Sequence, residues 1–189
     1  MSVFHSLSRR RAIIGAIALP AVGLIPPATA RAATPSCGGV ATASQTEGPF
    51  FKPRSPLRAS LIEPGLGGER LHLTGRVLTR SCRPIAGAML EFWQADDRGR
   101  YDNSGFRLRG HQLADAEGRF DLATIVPGAY PGRTRHIHVK VAAPGRPALT
   151  TQLYVPGEPG NARDGIYRKA LEMALVGAEG RFDFVLDLA

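Results

Sequence analysis

The 189-residue chain has only two cysteines, Cys37 and Cys82, and no Cys-x-x-Cys pair, so a dithiol redox motif is excluded. It has no comfortable membrane span, because its most apolar stretch, Ala12 to Ile25, is short and broken by Pro20. It has no basic run with interleaved aromatics, which argues against nucleic acid as a partner. Internal repeats and signs of a second domain are also missing. Acids are absent from the first 32 residues, where Arg9, Arg10, Arg11 and Arg31 supply half of the formal charge of +8. The remaining excess of about +4 is scattered among loops and suits an anionic substrate.

What is present begins with an export pattern. Ser8-Arg9-Arg10-Arg11 precedes the apolar stretch and then small residues, as in a twin-arginine signal. Ala28-Thr29-Ala30 and Ala30-Arg31-Ala32 both offer cleavage sites, and an uncleaved N-terminal anchor is the other reading. Residues 1–32 are assigned to this signal, and the domain is expected in the periplasm or outside the cell, with no membrane contact after cleavage. In such a compartment a Cys37–Cys82 disulfide is plausible, although spacing cannot show it.

Residues 33–70 are rich in Pro, Gly and Ser and read as an extended arm over a core, with Thr46-Glu47-Gly48-Pro49-Phe50-Phe51 as a turn followed by packing aromatics. Strands are expected at Leu71–Val77, Met89–Ala95, around Phe120-Asp121-Leu122, up to Ala143, at Thr150–Val155 and at Phe182–Leu188. In the first of these, Leu71, Leu73, Gly75 and Val77 share one face. A helix is expected from about Asp164 to Val176, capped by Asp164. Residues 71–189 thus read as an all-β, antiparallel β-sandwich with one short helix near the C-terminus.

Tyr130-Pro-Gly-Arg-Thr-Arg-His-Ile-His138 is the most informative stretch. On a strand, His136, His138 and Lys140 point one way and Ile137, Val139 and Val141 the other. Burial, together with the positive charges of Arg135 and Lys140, would keep both imidazoles neutral, the metal-binding form. The pair alone could equally be the polar face of a half-buried strand.

Several motifs then occur in order: Thr46-Glu-Gly-Pro-Phe-Phe, Gly87-Ala-Met-Leu-Glu-Phe-Trp-Gln-Ala-Asp96 with Gly99-Arg-Tyr101, Pro127-Gly-Ala-Tyr130 running into the His-x-His strand, and Leu149-Thr-Thr-Gln-Leu-Tyr154. With these the chain resembles intradiol ring-cleavage dioxygenases of the protocatechuate 3,4-dioxygenase type. The resemblance implies a catalytic domain over 71–189 holding mononuclear Fe(III) through Tyr101, Tyr130, His136 and His138. It implies that Tyr130 is displaced when the diol binds, and that Arg133 and Gln152 line the substrate pocket. The donor set suits the ion, since a hard trivalent cation favours anionic oxygen and strongly promotes phenol ionisation.

The implied reaction inserts both atoms of O2 into a catechol-type aromatic diol and gives a muconate-type dicarboxylate. The alternative is an exported β-sandwich binding module that keeps the fold without ring cleavage. Two departures leave the diol and the oligomeric state open: the chain has no added helical N-terminal region, and its Tyr130–His136 gap is shorter than in the protocatechuate enzymes.

Overall fold

A computed structural model describes Met1 and residues 40–189, the latter within one compact unit. The signal-like segment after Met1 and Cys37 lie outside the described residues; Cys82 is disulfide-bonded.

Nine strands occur among the described residues: β1 Arg70–Thr79, β2 Met89–Gln94, β3 Arg109–Leu113, β4 Arg119–Ile125, β5 His136–Ala142, β6 Leu149–Tyr154, β7 Ala174–Val176, β8 Glu179–Arg181 and β9 Phe184–Leu186. One sheet has the order β4-β1-β8-β7 with β9 also on β1, and the other the order β3-β2-β5-β6. The expected sandwich is present, and its second sheet is wholly antiparallel. The first sheet differs in that β8 and β9 run parallel to β1. β1 carries two partners in succession along one edge, β8 opposite residues 72–74 and β9 opposite residues 77–79.

Gly75 lies where the chain passes from one partner to the next. A Cβ there would sit 1.7 Å from the Phe182 carbonyl oxygen, so only glycine admits the crossing. The Arg76 N–H, left out of the ladder at this break, donates to the Asp183 carboxylate at 2.9 Å.

Leu71, Leu73 and Val77 are buried as their alternation requires. Directly opposed residues share a face, so Leu90 and Phe92 of β2 point inward with Val141 and Val139 of β5. Phe120 meets Phe92 at 5.8 Å and Phe184 at 5.6 Å between ring centroids, joining the two sheets. The same register puts Arg109, Trp93, His136, His138, Gln152 and Tyr154 on the outer face of the β3-β2-β5-β6 sheet. That face is not solvated, since all six are at least 98 % buried.

The arm helps to bury it and is also part of the sheets. Thr42 N–H donates to Val185 O, Gln45 N–H to Thr150 O, Arg58 N–H to His111 O and Leu61 N–H to Ala123 O. Leu61 is wholly buried in the core.

The helix expected over Asp164 to Val176 is absent. In its place are 3-10 turns at Asn161–Arg163 and Lys169–Leu171, followed by β7. A helix this short gains little by itself. Here the β6 end offers backbone partners: Met173 N–H donates to Tyr154 O at 3.0 Å, and Glu172 bridges Tyr154 in parallel. Ile166, at the start of the expected helix, is 40 % exposed.

Candidate metal centre

The β5 backbone projects His136 and His138 in the same direction, with their Nε2 atoms 3.1 Å apart. His136 Nδ1 lies 2.6 Å from the Thr134 carbonyl oxygen. A carbonyl can only accept, so Nδ1 carries the proton and the lone pair of the neutral ring is at Nε2. The His138 ring stacks on Trp93, its register partner, at 4.8 Å and 9°.

Two loops complete the group. Tyr101 follows β2 and Tyr130 follows β4, and their rings lie 5.9 Å apart. Tyr130 is 5.6 Å from His136 and Tyr101 is 6.2 Å from His138, ring centre to ring centre. The four side chains thus close a ring.

Short-range chemistry builds each loop. The Asp96 carboxylate accepts the N–H groups of Arg98 and Arg100, each at 2.9 Å, and turns the chain through Gly99 at φ +77°. Backbone then meets backbone: Gly128 N–H donates to Asp96 O at 2.8 Å. A Cβ on Gly128 would lie 2.4 Å from Gly99 N, and one on Gly99 2.3 Å from Ala129 O. This glycine–glycine approach brings the two tyrosine loops together. Gly128→Ala should force them apart, costing about 3 kcal/mol of stability as an overpacked site. Denaturant unfolding would measure that cost, and the visible spectrum of iron-loaded protein would report the displaced tyrosines.

Beyond Tyr101, Asp102 accepts backbone N–H groups of Gly105, Arg107 and Ser104, which hold its carboxyl well below the usual range. Buried Arg109 donates to Asp102 O and to Phe50 O, and its guanidinium carbon is 5.9 Å from the Tyr101 ring centre. Phe50 stacks on Tyr101 at 4.3 Å.

Electrostatics follow from burial. His136 is pushed down to about 4 by burial and then by the Arg133 charge. Burial lowers His138 well below its ordinary value, helped by His136, Arg133 and Arg109. The nearby cations are therefore Arg133 and Arg109. The sequence neighbours Arg135 and Lys140, expected to play this part, instead pair with Glu158 and Glu47. The Tyr101 phenol is pushed up by burial first and then by the adjoining Tyr130.

Among the described residues no three His, Cys, Asp or Glu side chains gather as a metal site. The converging donors are two imidazoles and two phenols, and they fit a hard trivalent cation. Two nitrogens each about 2.1 Å from one ion and at right angles to each other would be about 3.0 Å apart, close to the observed separation. The Tyr101 hydroxyl is buried with no hydrogen-bond partner among the described residues, as is His138 Nδ1. An orphaned buried hydroxyl is costly, and ligation of an ion would relieve it.

A family profile described as Dioxygenase matches residues 46–187 and so contains this whole constellation. The chain belongs to the intradiol ring-cleavage dioxygenase family. It is 37 % identical over 125 residues to the protocatechuate 3,4-dioxygenase beta chain of Burkholderia cepacia, covering 57 % of this chain and 53 % of that one. It is 31 % identical over 153 residues to a hydroxyquinol 1,2-dioxygenase of Nocardioides simplex, covering 68 % and 52 %. Among solved structures, the dioxygenase domain of a dioxygenase and carbohydrate-binding fusion from Streptomyces sp. SirexAA-E superposes with a TM-score of 0.76 at 56 % identity, over 79 % of this chain and 100 % of that one. The chain spans about half the length of the curated relatives it matches.

The structure brings together the four residues that the family resemblance singled out as iron ligands, Tyr101, Tyr130, His136 and His138. Arg133 stands beside them: Nη1 lies 3.5 Å from the Tyr130 hydroxyl, Nη2 donates to Gln152 Oε1, and Nε donates to Asp164. Gln152 is wholly buried and its amide is engaged at both ends, with Nε2 donating to Thr46 O at 2.9 Å and Oε1 also accepting from Tyr154 at 3.2 Å. Its place is behind Arg133.

Sequence reasoning assigned no part to Arg109, Asp102 or Thr134 and gave Asp164 only a capping role. Trp93, buried on the outer face of its sheet, is a wall of the site. Of these, only Asp102 carried a local signal, through the Asp-x-Ser-Gly turn after Tyr101.

Proposed function

We propose that the chain is an exported non-haem ferric dioxygenase that cleaves a catechol-type aromatic diol between its two hydroxyl-bearing carbons. Both atoms of O2 enter the product, a muconate-type dicarboxylate, and no external reductant is consumed. The observation that carries this reading is the convergence of two neutral, buried imidazoles with two phenols, one of them buried with no hydrogen-bond partner among the described residues.

Tyr101, Tyr130, His136 and His138 would hold Fe(III). The bound ion would supply a Lewis-acid centre that acidifies the diol and polarises its ring. The protein's own groups divide the remaining work. The Thr134 carbonyl keeps the His136 lone pair at Nε2. Phe50, Trp93 and the arm keep water from the Tyr101 and His138 side, which strengthens every charge interaction there. Tyr130 is only half-buried and can give way to the diol, its Oη accepting a diol proton. Arg133, within reach of that oxygen, stabilises negative charge on Tyr130 or on the substrate ring. Gln152 aims the guanidinium.

Export rests on Arg9-Arg10-Arg11 and the apolar stretch after it. Fractionation of producing cells should place the protein outside the cytoplasm.

Purified protein should carry about one iron per chain and absorb visible light through phenolate-to-ferric charge transfer. With simple catechol it should form the dicarboxylate. A semialdehyde would refute intradiol cleavage, and a colourless protein that takes up no ferric ion would restore the binding-module reading.

A further inference from the structure

Asp164 begins no helix and instead closes the 3-10 turn Asn161–Arg163. Its side chain is 1 % exposed and lies against Arg133, 31 residues away in sequence. Oδ2 accepts both Arg133 Nε–H and Thr134 N–H, each at 3.0 Å, and Oδ1 accepts Ile166 N–H at 3.1 Å. Burial opposes the charge on this carboxyl, but the two backbone donors and Arg133 outweigh it, so Asp164 is held below the ordinary carboxylate range. The segment is pinned as well, since the Thr134 hydroxyl donates to buried Asn161 Oδ1 at 2.8 Å.

A guanidinium is planar, so fixing its Nε edge and one Nη fixes where the other Nη points. With Nε on Asp164 and Nη2 on Gln152, Nη1 is left directed at Tyr130 Oη. The pairing also sets the charge beside the centre. A lone Arg133 would repel a trivalent ion and compete with it for anionic oxygens, whereas the Arg133–Asp164 pair is neutral overall yet still presents N–H groups.

We propose that Asp164 is a positioning residue of the ring-cleavage reaction, aiming the Arg133 guanidinium at the Tyr130 phenolic oxygen and balancing its charge. Its effect on turnover rests on the dioxygenase reading, while its hold on Arg133 does not. Asp164→Asn preserves shape but can offer oxygen to Arg133 and Thr134 or to Ile166, not to both sides, so a donor then faces a donor.

Three measurements on the full chain test it. Asp164→Asn should keep iron content and the visible band, lower kcat by ~30-fold and leave KM within ~3-fold. In an Arg133→Ala background the same change should cost less than ~3-fold, since no guanidinium is left to misplace. In gallium(III)-loaded protein the Arg133 Nε–H resonance should exchange slowly with solvent and lose that protection in Asp164→Asn. Unchanged exchange, or equal losses in both backgrounds, would overturn the assignment. A wild type that cleaves no diol would count against the proposed function alone, because the exchange measurement still decides on Asp164. If Asp164→Asn does not fold, Arg133→Ala with Asp164 intact serves instead. Free guanidinium should restore its turnover saturably where sodium chloride of equal ionic strength does not, and no rescue would overturn the proposal.

Discussion

Tyr101→Phe is expected to lower diol cleavage by ~10³-fold and to remove most of the visible absorption, because it deletes one of two anionic oxygen donors to a trivalent ion. The change removes only Oη. The ring remains stacked on Phe50 and keeps Arg109 over its face, so local packing is preserved. Stability should move the other way. The Tyr101 hydroxyl is buried with no hydrogen-bond partner among the described residues, so in protein stripped of metal its deletion should stabilise the fold by about 1 kcal/mol. Thermal unfolding of the metal-free variant, iron content, the visible spectrum and turnover would be measured together. Gain of stability with loss of iron separates a ligand from a packing aromatic, whose truncation would cost stability and leave activity. Unchanged turnover would contradict the assigned ligand set.

Arg133→Ala should keep iron and colour, since all four donors remain, and slow ring cleavage by ~10²-fold if the guanidinium stabilises developing charge. It also strips a buried carboxylate of its ion-pair partner. The Arg133 side chain is 17 % exposed and that of Asp164 1 % exposed. Two backbone N–H groups still serve Asp164, so the stability loss should fall at the low end of the range for broken buried pairs, about 3 kcal/mol. Denaturant titration and steady-state kinetics on the same sample separate the two effects. A variant that lost its iron would show Arg133 to be part of the metal's support, and one with normal kcat would remove it from the reaction.

Local patterns were legible wherever the physics was local. The period of two along 136–141 set which residues share a face, and β5 obeys it. The alternation at 71–77 marked β1. Reading failed where local propensity met a stronger partner elsewhere. Residues 164–176 have helical spacing, but the end of β6 captured Met173 and the Arg133 segment captured Asp164. β3, with Gly110 and His111 at its centre, showed no alternation to read. It forms because both its neighbours, β2 and the arm, supply hydrogen bonds.

The sequence by itself determined the sandwich, the ordered motifs and the two donor types, since strand periodicity and residue chemistry are properties of short segments. Only the tertiary structure decided that the histidine-bearing face is buried, that two glycines bring the tyrosine loops into contact, and that Arg133 and Arg109, rather than Arg135 and Lys140, depress the imidazoles. It alone decided that Asp164 anchors Arg133. Those outcomes depend on sheet register and on backbone approach between segments far apart in the chain, where burial multiplies each charge and hydrogen bond and no local pattern records the partner.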